Sequence, residues 1–420
     1  MIRCVSEQLP VGGRTVQLMT VAASSDTRPS KGEEAWSARP VYLDCNATTP
    51  VDPQVQDEVL RYMAEEFGNA GSRTHSYGQV AKERVNLARE QVSEVVAAKP
   101  DEVIFTSGAT ESNNIAILGL AAHGERTGRR HIVSTQIEHK AVLEPLEALV
   151  QQGFEVTLLP PTSGGWVEPQ EVARALRRDT LLVSVMAVNN ETGVIQPLED
   201  IAVALGEHDA FFHVDGAQAF GKLIEPLRNS RVDLLSLSGH KIYAPKGIGA
   251  LIARRRGYRR PPIQPLMHGG GQERGLRPGT LPVPLIAGLG LASSLALEEC
   301  VDRASYCVDY KSKLLKVLTA LGVNFNGDPL RVVPHAVNFS VPGVDSEAAI
   351  VALREVVAIS NGSACTSQSY QPSHVLTAMR LPEEQVAGAL RLSWSHLTPQ
   401  VDWTVLADRL TRLRSASTQL

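Results

Sequence analysis

From Val41 onward, short apolar runs alternate with stretches whose apolar positions recur at helical spacing. Val103-Ile104-Phe105, His131-Ile132-Val133-Ser134, Val156 to Leu159, Leu181 to Val188, Phe211 to Val214, Leu234 to Leu237 and Gly249 to Ala253 read as strands. Helical patterns near Ala141 to Gln151, Glu168 to Leu176 and Pro197 to Leu205 fall between them. Branched, apolar strands alternating with helices predict an α/β fold, with a mostly parallel sheet covered on both faces. The pattern changes after about Pro284. A long helical stretch runs to near Leu321, followed by shorter strands at Val323 to Phe325, Ala336 to Val341, Ala358 to Ser360 and Leu390 to Ser393. A C-terminal helix from about Val401 closes what reads as a second, α+β domain.

The first forty residues are rich in Ser, Thr, Gly and Arg without sustained periodicity, and lack the apolar core and cleavage site of a secretory signal. They read as a disordered tail. A start at Met19, a cloning leader and a transit peptide are the alternatives.

Composition narrows the function. The 420 residues are 43% hydrophobic and 20% charged, with a net charge of −4. That excludes a disordered chain and one that grips nucleic acid by bulk charge. No apolar run approaches the roughly 20 residues needed to span a bilayer, so no membrane association is expected. The five cysteines, Cys4, Cys45, Cys300, Cys307 and Cys365, are sparse and form no Cys-x-x-Cys pair. No metal site is expected, and the set fits a reducing compartment, read here as the cytoplasm. Arg254 to Arg256 with Arg259-Arg260 reads as a solvated loop rather than a docking patch.

The chemistry lies at predicted strand ends, the edge where open α/β sheets bind ligands. Gly108-Ala109-Thr110 is a small-residue turn opening a helix, suited to a phosphate. His139 follows the second strand and could stack on an aromatic cofactor or shuttle protons. Asn189-Asn190 could donate to a phenolate oxygen. Asp215 ends an apolar strand, where a carboxylate is costly unless it meets a cation such as a protonated pyridine, and Gln218 lies within reach of the same ring. Ser238-Gly239-His240-Lys241 ends the next strand with an amine that desolvation would prepare for Schiff-base chemistry. Each signal alone is weak. The order of Asp215 and then Lys241 is what pyridoxal phosphate requires.

The chain resembles the cysteine desulfurases, of the class V aminotransferase group with the type I pyridoxal-phosphate fold. The resemblance runs from Tyr42-Leu43-Asp44-Cys45-Asn46-Ala47-Thr48-Thr49-Pro50 to the last helix. It is carried by Thr106 to Asn114, Glu138-His139, Val188 to Glu191, Val214 to Gln218, Ser238 to Lys241, Gly269 to Glu273 and Arg277-Pro278-Gly279-Thr280. It implies that Lys241 is the Schiff-base lysine of pyridoxal 5'-phosphate, that Asp215 pairs with the ring nitrogen, and that His139 stacks on the ring and acts as acid or base. Gln218 and Asn190 would contact the phenolic oxygen or substrate. Ala109, Thr110, Ser238 and His240 would form the phosphate cup, Thr280 would serve a neighbouring subunit's phosphate in a homodimer, and Arg391 would clamp the carboxylate of L-cysteine. The implied organisation is a small-domain segment at 41–50, a large cofactor domain at 51–290 and a small domain at 291–420 with a nucleophile loop at 360–373. Ser393-Trp394-Ser395-His396 departs from the common Gly-Arg pair, which puts details of the pocket wall in question.

Cys365 stands among Ser, Gly, Asn and Thr, without the apolar neighbours of a packing cysteine, and occupies the family's persulfide-forming position. Cys300 and Cys307 read as packing residues. The expected activity is conversion of L-cysteine to L-alanine, with sulfur held on Cys365 for an acceptor protein. The segment Phe67 to His75 is similar to the branch supplying DNA phosphorothioation, through partner proteins rather than direct DNA contact. Iron–sulfur assembly or tRNA thiolation is the alternative destination. A selenocysteine lyase or aminotransferase of the same fold, and a non-catalytic acceptor scaffold, are the rival activities.

Overall fold

The computed structural model describes residues 4–11, 14–21, 39–362 and 372–417. The chain divides into two units, Met1–Pro40 and Val41–Leu420. In the first, Cys4–Val11 and Arg14–Val21 pair as antiparallel strands, where a tail is expected; the remainder of that tail, at 1–3, 12–13 and 22–38, lies outside the described residues. Both runs carry Val and Leu, and Gly12-Gly13 stands between them, a hairpin composition that carries no longer periodicity.

In the second unit a seven-stranded sheet runs in the order Val103–Thr106, Gly249–Ala253, Leu234–Ser238, Phe211–Asp215, Thr180–Met186, His131–Thr135, Glu155–Leu159. Only Gly249–Ala253 is antiparallel to its neighbours. The other adjacent pairs are parallel, so those strands end on one edge. Every residue of the five strands at Val103–Thr106, His131–Thr135, Thr180–Met186, Phe211–Asp215 and Leu234–Ser238 is buried, which explains their unbroken apolar character. Alternate residues feed opposite faces: Val103, Phe105, Leu235 and Leu237 enter one core, Ile104, Ile132, Leu234 and Leu251 the other.

The single long helix expected from about Pro284 to Leu321 is two helices, Val283–Glu298 and Cys300–Ala320, bent by 73°. Glu299 leaves the helical region there, at φ −106° and ψ 7°. The first helix packs on Pro53–Ala64 and Ser76–Val95 and is apolar nearly all round because it is buried. Among the described residues no single helix is long and apolar enough to cross a membrane. The second turns Cys307, Tyr310, Leu314 and Leu318 into a separate core. That core lies on a three-stranded antiparallel sheet of Asn324–Phe325, Ala336–Ser340 and Ala389–Ser393. Val41–Tyr42 pairs in parallel with Val357–Ala358 as a separate two-stranded sheet, and Asp44 bridges to Ser393 at the end of the later sheet. Both sheets belong to one compact unit, divided by the kink at Glu299 rather than by a linker.

The arginine cluster is not a solvated loop throughout. Arg254 is buried and donates to the carbonyls of Asn229, Val232, Val96 and Leu227, while Arg256 pairs with Asp233 and Arg255 with Asp101. A predicted turn after a strand reads as polar, and only tertiary structure shows which carbonyls need a donor.

Candidate active site

The shared edge of the parallel strands opens into a cleft of about 480 Å3. Most of the residues singled out in the sequence line it: Ala109, Thr110, His139, Asn190, Asp215, Gln218, Ser238, His240, Lys241 and Arg391. Two do not. Thr280 is exposed and off this cleft, and Cys365 falls outside the described residues.

Strand Val103–Thr106 passes through Ser107-Gly108 into helix Ala109–Leu118, whose N-terminus has no side-chain cap. Its first amides are therefore left for a ligand, at the positive end of the helix dipole. Glu111 accepts from the Ser107 amide at 2.6 Å and from Arg277 at 2.9 Å, fixing the turn. Gly249 is required beside it, since a methyl there would lie 2.6 Å from the Gly108 Cα.

Asp215 is 5% exposed at its strand end. One carboxylate oxygen accepts from Asn113 Nδ2 at 2.8 Å and the other from the Ala217 amide at 3.0 Å. Asn113 stands one turn into the helix that opens at Ala109, within the motif Thr106 to Asn114, but periodicity assigns it no role. His139 caps helix Lys140–Val150, its Nδ1 accepting from the Ala141 amide at 3.0 Å. Burial lowers its pKa, so the ring is neutral at pH 7.

Lys241 Nζ donates to the backbone carbonyls of Asn46 and, at 2.8 Å, of Ala47. Desolvation, with the positive charges of Lys222 and Arg391, lowers its pKa to about 7. Gln218 Nε2 donates to the Asn46 carbonyl at 2.9 Å. These backbone acceptors carry no side-chain signature, which is why sequence reading missed them. Arg391, 1% exposed, pairs with Asp44 and donates to the Asn190 carbonyl at 2.9 Å.

Gln218 Oε1, Asn113 Oδ1 and Arg391 Nε are buried without a hydrogen-bond partner among the described residues. Unpaired groups of both polarities around one cleft await a polar ligand. A helix N-terminus for phosphate, a buried carboxylate, a half-neutral amine and an imidazole fit pyridoxal phosphate group by group.

The Ser395-His396 departure does not reach the cleft wall. Ser395 is buried against Thr398, and His396 meets the Tyr243 ring edge-on at 4.6 Å. Neither lines the cleft, so the question raised over the pocket wall does not fall on these two residues. Two described thiols, Cys45 and Cys307, are unsuited to nucleophilic work: burial raises the Cys45 pKa and pushes Cys307 to about 11.

Residues 41–403 match the family model described as Aminotransferase class-V. The chain is 45% identical over 385 residues to a mitochondrial cysteine desulfurase of Arthroderma benhamiae, covering 90% of this chain and 76% of that protein. It resembles the crystal structure of DndA from Streptomyces lividans at 55% identity and TM-score 0.75, covering 84% and 99% of the two chains. A structure of SspA in complex with cysteine matches at 37% identity and TM-score 0.74, covering 84% and 98%.

Proposed function

We propose a division of labour for a chain that belongs to the aminotransferase class-V family and is a cysteine desulfurase. The observation that carries it is the convergence of Asp215, Lys241 and Arg391 on one cleft. Pyridoxal 5'-phosphate, when bound, supplies a carbonyl that condenses with amines and a ring that accepts electrons from the carbon beside the amine. The helix N-terminus at Ala109-Thr110, with Ser238 and His240, would hold its phosphate. Asp215 would hold the ring nitrogen, Gln218 and Asn190 its oxygen side, and His139 its face. In a homodimer, Thr280 of the partner subunit would add to the phosphate site, in keeping with its exposure away from its own cleft.

Lys241, poised near neutrality, would hold the cofactor through its amine and, with substrate in the cleft, would take the α-proton. His139 is the poorer base. Its Nδ1 is engaged with Ala141, so the neutral ring carries its proton on Nε2 and acts as a donor. Arg391 receives the carboxylate of L-cysteine, a substrate in keeping with the cysteine bound to SspA. Cys365 as thiolate attacks the substrate sulfur. The sulfur–sulfur bond forms as the carbon–sulfur bond breaks, and the carbon takes a proton to give L-alanine. Alanine formation by Cys365→Ala is the test. A fall of about 100-fold or more is expected from loss of the nucleophile, and an unchanged rate would favour a lyase that needs no cysteine nucleophile.

The sulfur is proposed to leave through an acceptor protein for DNA phosphorothioation. The segment Phe67 to His75 suggests this branch, and the 55% identity with DndA points the same way. The net charge of −4 favours transfer through a partner over direct DNA contact. A reducing cytoplasm suits such a reaction, although the Arthroderma relative is named as mitochondrial. Deleting the gene should remove phosphorothioate from DNA while iron–sulfur enzymes stay active, and the reverse pattern would assign the sulfur to cluster assembly.

A further inference from the structure

Glu138 has no part in the proposed chemistry, yet it is wholly buried one residue before His139. Its Oε1 accepts from the Thr135 hydroxyl at 2.7 Å and from the Met186 amide at 3.0 Å. Thr135 is the last residue of strand His131–Thr135, and Met186 is the last of its parallel neighbour Thr180–Met186. The same Thr135 hydroxyl accepts from the Ile137 amide at 3.3 Å, and Asn189 Nδ2 donates to the Ile137 carbonyl at 3.0 Å. The turn that carries His139 is thus tied to the strand beside it, and both His139 and Met186 line the cleft.

Both donors to Oε1 are neutral, and Oε2 is buried without a hydrogen-bond partner among the described residues. An ionised carboxylate there would bury a full charge against one hydroxyl and one amide, which costs far more than burying a lone O–H. Burial pushes the Glu138 pKa up to about 8, against the pull of those two bonds and with the negative charge of Asp215 adding to the rise. His374, from helix His374–Ala378, reaches the Glu138 backbone carbonyl at 3.0 Å rather than the carboxyl, and His139 is neutral. With Oε1 accepting twice, the proton belongs on Oε2.

We propose that Glu138 is a positioning residue for His139 and works as an uncharged acid, its Oε1 fastening the histidine's turn to the end of strand Thr180–Met186. Kept neutral, it adds no second negative charge beside Asp215, the carboxylate that would hold the ring nitrogen. The inference rests on the reading that His139 lies against the cofactor.

Two measurements on the full chain test the charge state and the positioning. In the apo-protein at pH 7, the infrared carbonyl band of a protonated carboxylic acid should be stronger in the wild type than in Glu138→Gln. The difference should fade as the pH rises through about 8. Identical bands at pH 7 would mean an ionised side chain and overturn the proposal. With cofactor loaded, the visible circular dichroism of bound pyridoxal phosphate and the rate of alanine formation are read. Glu138→Leu removes both hydrogen bonds. It should weaken the dichroism and lower kcat about 10-fold, the scale of a misplaced group, with KM for L-cysteine little changed. Glu138→Gln, which keeps the accepting oxygen without a charge, should restore both at pH 7. No loss with leucine, or a loss that glutamine does not restore, would overturn the proposal. If Glu138→Leu does not fold, Thr135→Val, which removes one of the two donors, takes its place, with Thr135→Ser as the rescue and the same outcomes deciding. His139→Ala is the control for the underlying reading. If it leaves the dichroism unchanged, that reading fails and the infrared band decides alone: its loss in Glu138→Gln supports the uncharged acid, and its persistence overturns it.

Discussion

Lys241 carries the clearest electrostatic signature in the cleft. Its pKa of about 7 lies below the ordinary 10.5, chiefly through desolvation. The folded apo-protein therefore binds fewer protons here than the unfolded chain between those values. This group's penalty on stability is present in full below pH 7 and is relieved as the pH rises towards 10.5. Each unit of such a shift is worth about 1.4 kcal/mol. Lys241→Met should thus raise the apo-protein's melting temperature at pH 6 more than at pH 9, and thermal denaturation at the two values checks the sign. An equal effect at both would mean an ordinary lysine. At this scale the sequence was informative wherever a side chain carries the chemistry: Asp215, Lys241, His139 and Arg391 all reach one cleft. It was silent where the backbone does so, as at the Asn46 and Ala47 carbonyls, and where a helix turn delivers a partner, as for Asn113 against Asp215.

Among the elements, the strands of the large sheet were readable because each is short, branched and bounded by small residues, and their bounds fall close to the structure's. The kink at Glu299 was not, since apolar spacing continues across it and no proline or glycine marks the break. Gly249 shows how a strand can serve a ligand site indirectly. It pairs with Thr106 and with Ser238, the ends of the two strands that open the proposed phosphate cup. Gly249→Ala should cost about 1–3 kcal/mol by overpacking and weaken pyridoxal phosphate binding, because the added methyl presses on Gly108. Fluorescence titration of the apo-protein with the cofactor, beside a thermal melt, reads both effects. Wild-type affinity in this variant would show that the turn takes no part in holding phosphate.

For the whole molecule, two sheets with separate cores meet in one compact unit, and the residues of the cleft come from both. Arg391 belongs to the later sheet, whereas Asp215 ends a strand of the larger one and Lys241 follows the neighbouring strand. The proposed carboxylate clamp and the proposed cofactor residues thus come from different parts of the fold. That division was legible as a change of pattern near Pro284, but how the parts share a cleft was not, because it depends on contacts far apart in the chain. The central claim is that sulfur from L-cysteine comes to rest on Cys365. Its most direct test is peptide mass spectrometry of the cofactor-loaded protein after brief incubation with L-cysteine and trapping of free and persulfide sulfur by alkylation. One added sulfur on the peptide containing Cys365, formed with L-alanine and absent from Lys241→Ala, is the expected result. Added sulfur on Cys45, Cys300 or Cys307 instead, or alanine formed with no protein-bound sulfur, would contradict it.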